Sequence, residues 1–297
     1  MLPALFFLYL SLVNDVRELI ARHDLAAAER AAKAYRAQTG ATGELAAALS
    51  WIARGALDAG ELERADAYAA DTRKLAVQIL GRGQLDRDPW LPTALGASIE
   101  VHAQVMAARG ERPEAIGFLR EQLKLFGATS LHERIQKNLN LLNLEGKAEP
   151  PLAMDDWLGP KPAPLAALRG HPVLLFFWAH WCGDCKGEVA VLAKVQKAWR
   201  RKGLVLIGPT RLYGYAAGGE DAAPAVEKQY IEQVRRQHYS ALADMPVPLS
   251  AANFLAYGSS TTPTLVLLDS AGVVRLYHPG AMSELELSTR IQAILGK

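Results

Sequence analysis

The chain's two cysteines stand three positions apart, in Trp181-Cys182-Gly183-Asp184-Cys185, directly after the unbroken apolar run Val173-Leu174-Leu175-Phe176-Phe177-Trp178. Such a run reads as a strand buried on both faces, which requires a sheet with cover on either side. The segment from 182 to about 201 has helical spacing and turns Val189, Leu192, Val195 and Trp199 to one face. The first cysteine therefore sits at the mouth of a helix and the second one turn inside it. Two cysteines cannot build a disulfide framework, so the fold must be held by burial, and neither thiol is spare for structure.

The rest of the C-terminal half extends this pattern. A second apolar strand is predicted at 204–208, then a Gly/Ala-rich stretch at 213–224 and a charged amphipathic helix from about 226 to 242. A strand at Thr264–Leu268, a turn at 269–272, a strand at 273–277 and a helix at 283–295 complete it. Strands alternating with helices and closing on a hairpin predict an α/β fold with a central mixed sheet covered on both faces.

Upstream the character changes. Prolines at 150, 151, 160, 162, 164 and 172 break any helix and place a domain boundary near 147. Residues 14–146 are rich in Ala, Leu, Glu and Arg at helical spacing, so this half is predicted all-α. Three of its segments look alike, each a polar turn followed by a helix with a small residue, Ala28, Ala65 or Ala115, at the same offset. Small residues there let paired helices approach closely. The pattern resembles tetratricopeptide repeats of ~34 residues, at the longer intervals of 37 and 50 residues; a bundle with Ala-rich contacts is the alternative. The division predicted is an apolar leader at 1–13, helical hairpins at 14–146 and an α/β domain at 147–297, as suits a chain of 297 residues. The leader is long enough for the core of a signal peptide and too short to span a bilayer, which takes ~20 residues. Export to the periplasm is the expectation, with a cytoplasmic protein opening on a buried helix as the alternative. A formal charge of +2, with Arg200-Arg201-Lys202 as the densest basic run, argues against nucleic acid as a partner.

A Cys-x-x-Cys pair on a strand–helix junction reads as a thioredoxin-like redox motif. Backbone N–H groups and the helix macrodipole stabilise a thiolate at the helix mouth, and the thiolate is the attacking species. Cys182 is thus the predicted nucleophile. Cys185, facing inward, is placed to attack the mixed disulfide. The segment Phe177-Trp178-Ala179-His180-Trp181-Cys182-Gly183-Asp184-Cys185-Lys186-Gly187-Glu188, with Tyr257-Gly258-Ser259-Ser260-Thr261-Thr262-Pro263-Thr264 some 75 residues after Cys182, resembles the TlpA/ResA-like branch of the thioredoxin superfamily. The lead-in Pro150-Pro151-Leu152 and the later Leu268-Asp269-x-x-Gly272 fit the same branch, so the likeness covers about 149–297.

That resemblance implies a thioredoxin fold and thiol–disulfide oxidoreductase activity on protein disulfides, with no cofactor beyond the dithiol and an electron-donor protein upstream. By position, Pro263 would be the cis-proline facing the dithiol. Thr262 would lend its backbone to an extended substrate segment. Glu188 would be the buried acid that takes the proton of Cys185, against the alternative of a solvated helix carboxylate. Trp181, Gly183 and Asp184 complete the expected substrate surface, with Trp178 packed beneath it. The usual proline between the cysteines is replaced by Asp184, whose charge should disfavour the Cys182 thiolate and lower the reduction potential, the mark of a reductant. His180 reads either as a cation favouring the thiolate or as an exposed strand-end residue. A copper or zinc site on both cysteines and His180 or His278 is a minor alternative. Two rival functions stay open: a non-enzymatic adaptor whose helical half binds a partner, and a thiol peroxidase.

Overall fold

A computed structural model describes residues 11–81 and 83–295. Contacts divide the chain into two compact units between Asn138 and Leu139. This lies ahead of the composition change at 147, because the intervening residues bond into the second unit. Asn140 donates to the Tyr257 carbonyl, Glu145 accepts from the Tyr277 amide, and the Gly146 amide donates to Val274.

The first unit is built of helical hairpins. The pairs are α1 (Leu12–Ala21) with α2 (Leu25–Thr39), α3 (Gly43–Asp58) with α4 (Leu62–Leu80), and α5 (Leu91–Ala108) with α6 (Arg112–Phe126); α7 (His132–Asn143) follows. One turn design joins all three pairs. The amides of Asp24, Glu61 and Glu111 reach back to the carbonyls of Leu19, Ala56 and Met106, each at 2.9 Å. The residue before each amide, His23, Gly60 or Gly110, takes a positive φ of 59°, 75° or 87°. This closure uses carbonyls that the helix end would leave unpaired. Ala28, Ala65 and Ala115 are each the fourth residue of the second helix, and each is fully buried. Around Ala65 the seam is made of Ala53, Ala56, Ala69, Val101 and Val105. The longer second interval has a plain cause in the 19 residues of α4 and the 3-10 turn Leu85–Arg87 that precedes α5.

Most of the apolar leader, 2–10, lies outside the described residues, and with it the expected signal segment. Leu12 and Val13 belong to α1 and are buried. Among the described residues, no helix is long and apolar enough to cross a membrane.

The second unit carries a four-stranded mixed sheet in the order β3-β2-β5-β6, formed by β2 (Val173–Phe177), β3 (Val205–Ile207), β5 (Thr264–Leu268) and β6 (Val274–Pro279). Strand β2 runs parallel to β3 and antiparallel to β5, and β5 pairs antiparallel with β6. A two-stranded antiparallel ladder, β1 (Trp157–Leu158) with β4 (Val247–Pro248), lies apart from it. The helices are α8 (Gly183–Trp199), α9 (Pro224–His238), α10 (Ala251–Tyr257) and α11 (Glu284–Leu295).

Alternation along β2 explains why its whole run is apolar. Leu174 and Phe176 enter the core containing Leu192 and Val195 of α8, Ile231 and Val234 of α9, and Leu287 and Ile291 of α11. Val173, Leu175 and Phe177 enter the opposite core with Phe254 and Tyr257 of α10. Both faces are covered, as the apolar run requires. Trp199 is only half-buried and reaches the Ser288 hydroxyl at 3.4 Å. Helix α10, together with β1 and β4, had no counterpart in the periodicity. Its seven residues are too short for a helical period to stand out. The Ser250 side chain caps its start, and Gly258, at φ 60°, ends it.

The alanine seam gives a direct test. Ala65→Leu should overpack the α3–α4 contact and cost about 1–3 kcal/mol, read as a lowered urea midpoint at unchanged slope. The exposed Glu63→Leu on the same helix should stay within about 0.5 kcal/mol.

Candidate active site

The site is built on the C-terminal end of β2. Trp178 is clamped there by three hydrogen bonds: its amide to the Pro209 carbonyl at 3.1 Å, its indole N–H to Gly208 at 2.9 Å, and its carbonyl from the Thr210 hydroxyl at 2.8 Å. The next residues turn tightly, with the Cys182 amide on the Ala179 carbonyl at 3.1 Å. Cys182 then becomes the N-cap of α8, and its sulfur accepts the Cys185 amide at 3.0 Å. A sulfur in this position takes up a helix donor that would otherwise lack an acceptor and faces the positive end of the macrodipole. Both effects favour a thiolate when the pair is reduced.

Cys182 and Cys185 are joined in a disulfide, with their Cα atoms 5.3 Å apart. The two sulfurs differ in access. Cys185 is fully buried and Cys182 is 4% exposed, while Trp181, Gly183 and Asp184 beside them are open to solvent. Thr262 and Pro263 are joined by a cis peptide bond, and the Thr262 carbonyl oxygen stands 3.5 Å from the Cys182 sulfur. Residues 80 apart in sequence thus meet at the dithiol.

Glu188 is buried, on the same helix three residues beyond Cys185. Its Oε1 accepts the Met282 amide at 3.1 Å. Burial pushes its carboxyl above the usual carboxylate range, outweighing the opposing pull of the Met282 amide and His278. The solvated-carboxylate alternative is therefore corrected: α8 turns this position to the core.

His180 is a second correction. It is 1% exposed rather than a free strand-end residue, and its Nε2 lies 3.3 Å from Oε1 of the fully buried Glu227. Burial holds the imidazole below its usual range, although Glu227 pulls the other way. A resident cation beside Cys182 is thus disfavoured. Glu227 also accepts the amides of Tyr213 at 2.5 Å and Gly214 at 2.8 Å. No motif in the sequence marks this carboxylate. A signal was available, because Glu227, Ile231 and Val234 recur at the spacing of one helix face, and the last two are core residues. Among the described residues, no three His, Cys, Asp or Glu side chains converge as a metal-ligand set.

Residues 146–277 match the AhpC/TSA family. That match lies within the C-terminal half of the chain. Over 128 residues, 43% of the chain, the sequence is 30% identical to the thiol:disulfide interchange protein DsbE of Xylella fastidiosa (strain Temecula1). That stretch covers 57% of the Xylella protein, little more than half its length. It is 28% identical over 148 residues to the thioredoxin-like protein YneN of Bacillus subtilis (strain 168), covering 50% of this chain and 78% of that one. A thiol:disulfide interchange protein of the thioredoxin family from Chlorobium tepidum TLS superposes with a TM-score of 0.38 at 19% identity, over 51% of this chain and 99% of that one. The matched stretch contains the expected catalytic and substrate-surface residues, from Trp181 to Pro263.

The raised Glu188 carboxyl sets a sign for pH. The folded state keeps this proton at pH values where the unfolded chain, near 4.5, has lost it. Its contribution is full below that value and declines as pH rises through the folded one. Glu188→Gln in the oxidised protein should therefore match wild type in urea midpoint at pH 4 and exceed it at pH 7. Equal differences at both pH values would contradict the assignment.

Proposed function

We propose that this protein is a thiol–disulfide oxidoreductase acting on protein disulfides through Cys182 and Cys185. The observation that carries the reading is the Cys182 sulfur itself, which caps α8, is bonded to a buried partner one turn inside, and lies against the carbonyl preceding a cis-proline. In the reducing direction the Cys182 thiolate attacks one sulfur of a substrate disulfide. A Cys182–substrate disulfide forms, and the other substrate sulfur leaves as a thiolate. Glu188 takes the proton of Cys185, whose thiolate attacks the Cys182 sulfur. The substrate departs as a dithiol, and the Cys182–Cys185 disulfide holds the oxidising equivalents. Two electrons have passed to the substrate, and a dithiol protein upstream must restore them. No diffusible cofactor enters this cycle.

The flank of Trp181, Gly183 and Asp184, with Thr262 and Pro263 opposite, forms the substrate surface in this reading. An extended segment would pair with the Thr262 backbone, a short piece of strand addition. Asp184 sets the direction. Its carboxylate in the first turn of α8 opposes the Cys182 thiolate, and a less stable reduced form is the stronger reductant. The helical hairpins recruit or orient a partner, and the exchange takes place outside the cytoplasm.

Insulin reduction with dithiothreitol as donor tests the reading. Wild type should accelerate it, and Cys182→Ser should abolish the acceleration. Cys185→Ser should instead accumulate a mixed disulfide that non-reducing electrophoresis retains and that names the client. Retained turnover in Cys182→Ser, or peroxide consumption without a disulfide substrate, would overturn it. Asp184→Pro should raise the midpoint potential against glutathione by roughly 30 mV or more; a fall would remove the charge argument.

A further inference from the structure

We propose that His180 and Glu227 are positioning residues for disulfide exchange: they tie the Tyr213-Gly214-Tyr215 loop to the segment entering Cys182 and hold the Tyr213 ring behind Trp181 as the wall on which a polypeptide disulfide docks. The inference rests on the exchange reading above and deepens it.

Glu227 is fully buried in the first turn of α9. Its carboxylate takes donors from two further segments, the Tyr213 and Gly214 amides of the loop and the His180 imidazole at the end of the β2 segment. Stability does not demand this arrangement, since a buried acid–imidazole pair is often replaceable by apolar side chains of similar volume without loss. What the pair achieves is registration: one carboxylate fixes three chain segments at once. Water is kept from it by aromatic rings. Tyr213, Tyr215 and Tyr230 stand edge-on to His180, with centroids at 5.6, 5.3 and 5.4 Å.

Tyr213 carries the constraint outward. Its ring meets Trp181 edge-on at 5.5 Å and lies 6.3 Å from Phe254, while the Arg211 guanidinium stacks on it at 4.9 Å. Trp181 is 49% exposed and immediately precedes Cys182. A continuous series of rings thus links the buried pair to the open indole flanking the dithiol. An aromatic of this kind, fixed from behind, docks a chain with little loss of its own freedom. Neither His180 nor Glu227 needs to touch the reacting sulfurs, so the expected effect falls on substrates that are large enough to meet the wall.

The test compares a protein disulfide, insulin, with a small one, 5,5′-dithiobis(2-nitrobenzoate), using the reduced full-length chain. For Glu227→Gln, the ratio of kcat/KM on insulin to that on the small disulfide should fall about tenfold, mainly through KM, with no shift in the midpoint potential. Tyr213→Leu, which leaves the pair in place and alters a half-buried ring, should lower the same ratio, and it decides the matter if Glu227→Gln does not fold by circular dichroism. An unchanged ratio in the folded variants, or a fall accompanied by a shifted potential, would overturn the proposal. A wild type inert towards both disulfides would instead remove the exchange reading.

Discussion

One contact organises the second unit: the Cys182 sulfur on the first turn of α8. The helix needs an acceptor for its leading amides, and this chain supplies a sulfur where a hydroxyl or carboxylate is more usual. The sulfur accepts the Cys185 amide and so sits where the macrodipole lowers the cost of a negative charge. Everything else is arranged around that placement. Strand β2 is buried on both faces and pinned at Trp178, so the segment ending at Cys182 starts from a rigid point. The Thr262–Pro263 turn closes the other side. Reactivity is therefore a property of the helix end rather than of the cysteine alone.

The two sulfurs share a helix turn yet meet different surroundings. Cys182 is 4% exposed between the open side chains of Trp181 and Asp184, whereas Cys185 is fully buried. Burial disfavours charge on the Glu188 carboxyl and pushes it above the usual carboxylate range. The same logic separates Asp184 from Glu188. Asp184 is exposed at the helix mouth, while Glu188 is buried and its carboxyl is pushed above the usual range by that burial.

The helical unit obeys a different economy. Its hairpins close through one turn geometry, with a positive φ at His23, Gly60 and Gly110. Glycine takes that conformation freely, and a histidine at the first turn shows that the closing hydrogen bonds select it even at some cost. Alanines at the fourth position of α2, α4 and α6 remove side-chain bulk where the paired helices meet. The repetition is therefore one of local geometry. Interval length varies freely because α4 can lengthen without disturbing the contacts at either end.

Much of this architecture is written locally. The apolar run at 173–178, the cysteine spacing, the proline-rich break and the alanine offsets each act within a few residues, so the strand, the helix mouth, the all-α half and the dithiol were readable in order along the chain. Short-range patterns carry that information because backbone geometry and capping are themselves short-range. The remainder depended on which distant segments share an interior. Helix α10 forms at seven residues because Phe254 and Tyr257 complete the core beneath β2. His180 is buried because Glu227 and three tyrosines, dozens of residues further along, fold over it. Whether a histidine or glutamate faces water or the core is a matter of desolvation by neighbours from elsewhere in the chain, and only the packed molecule settles it.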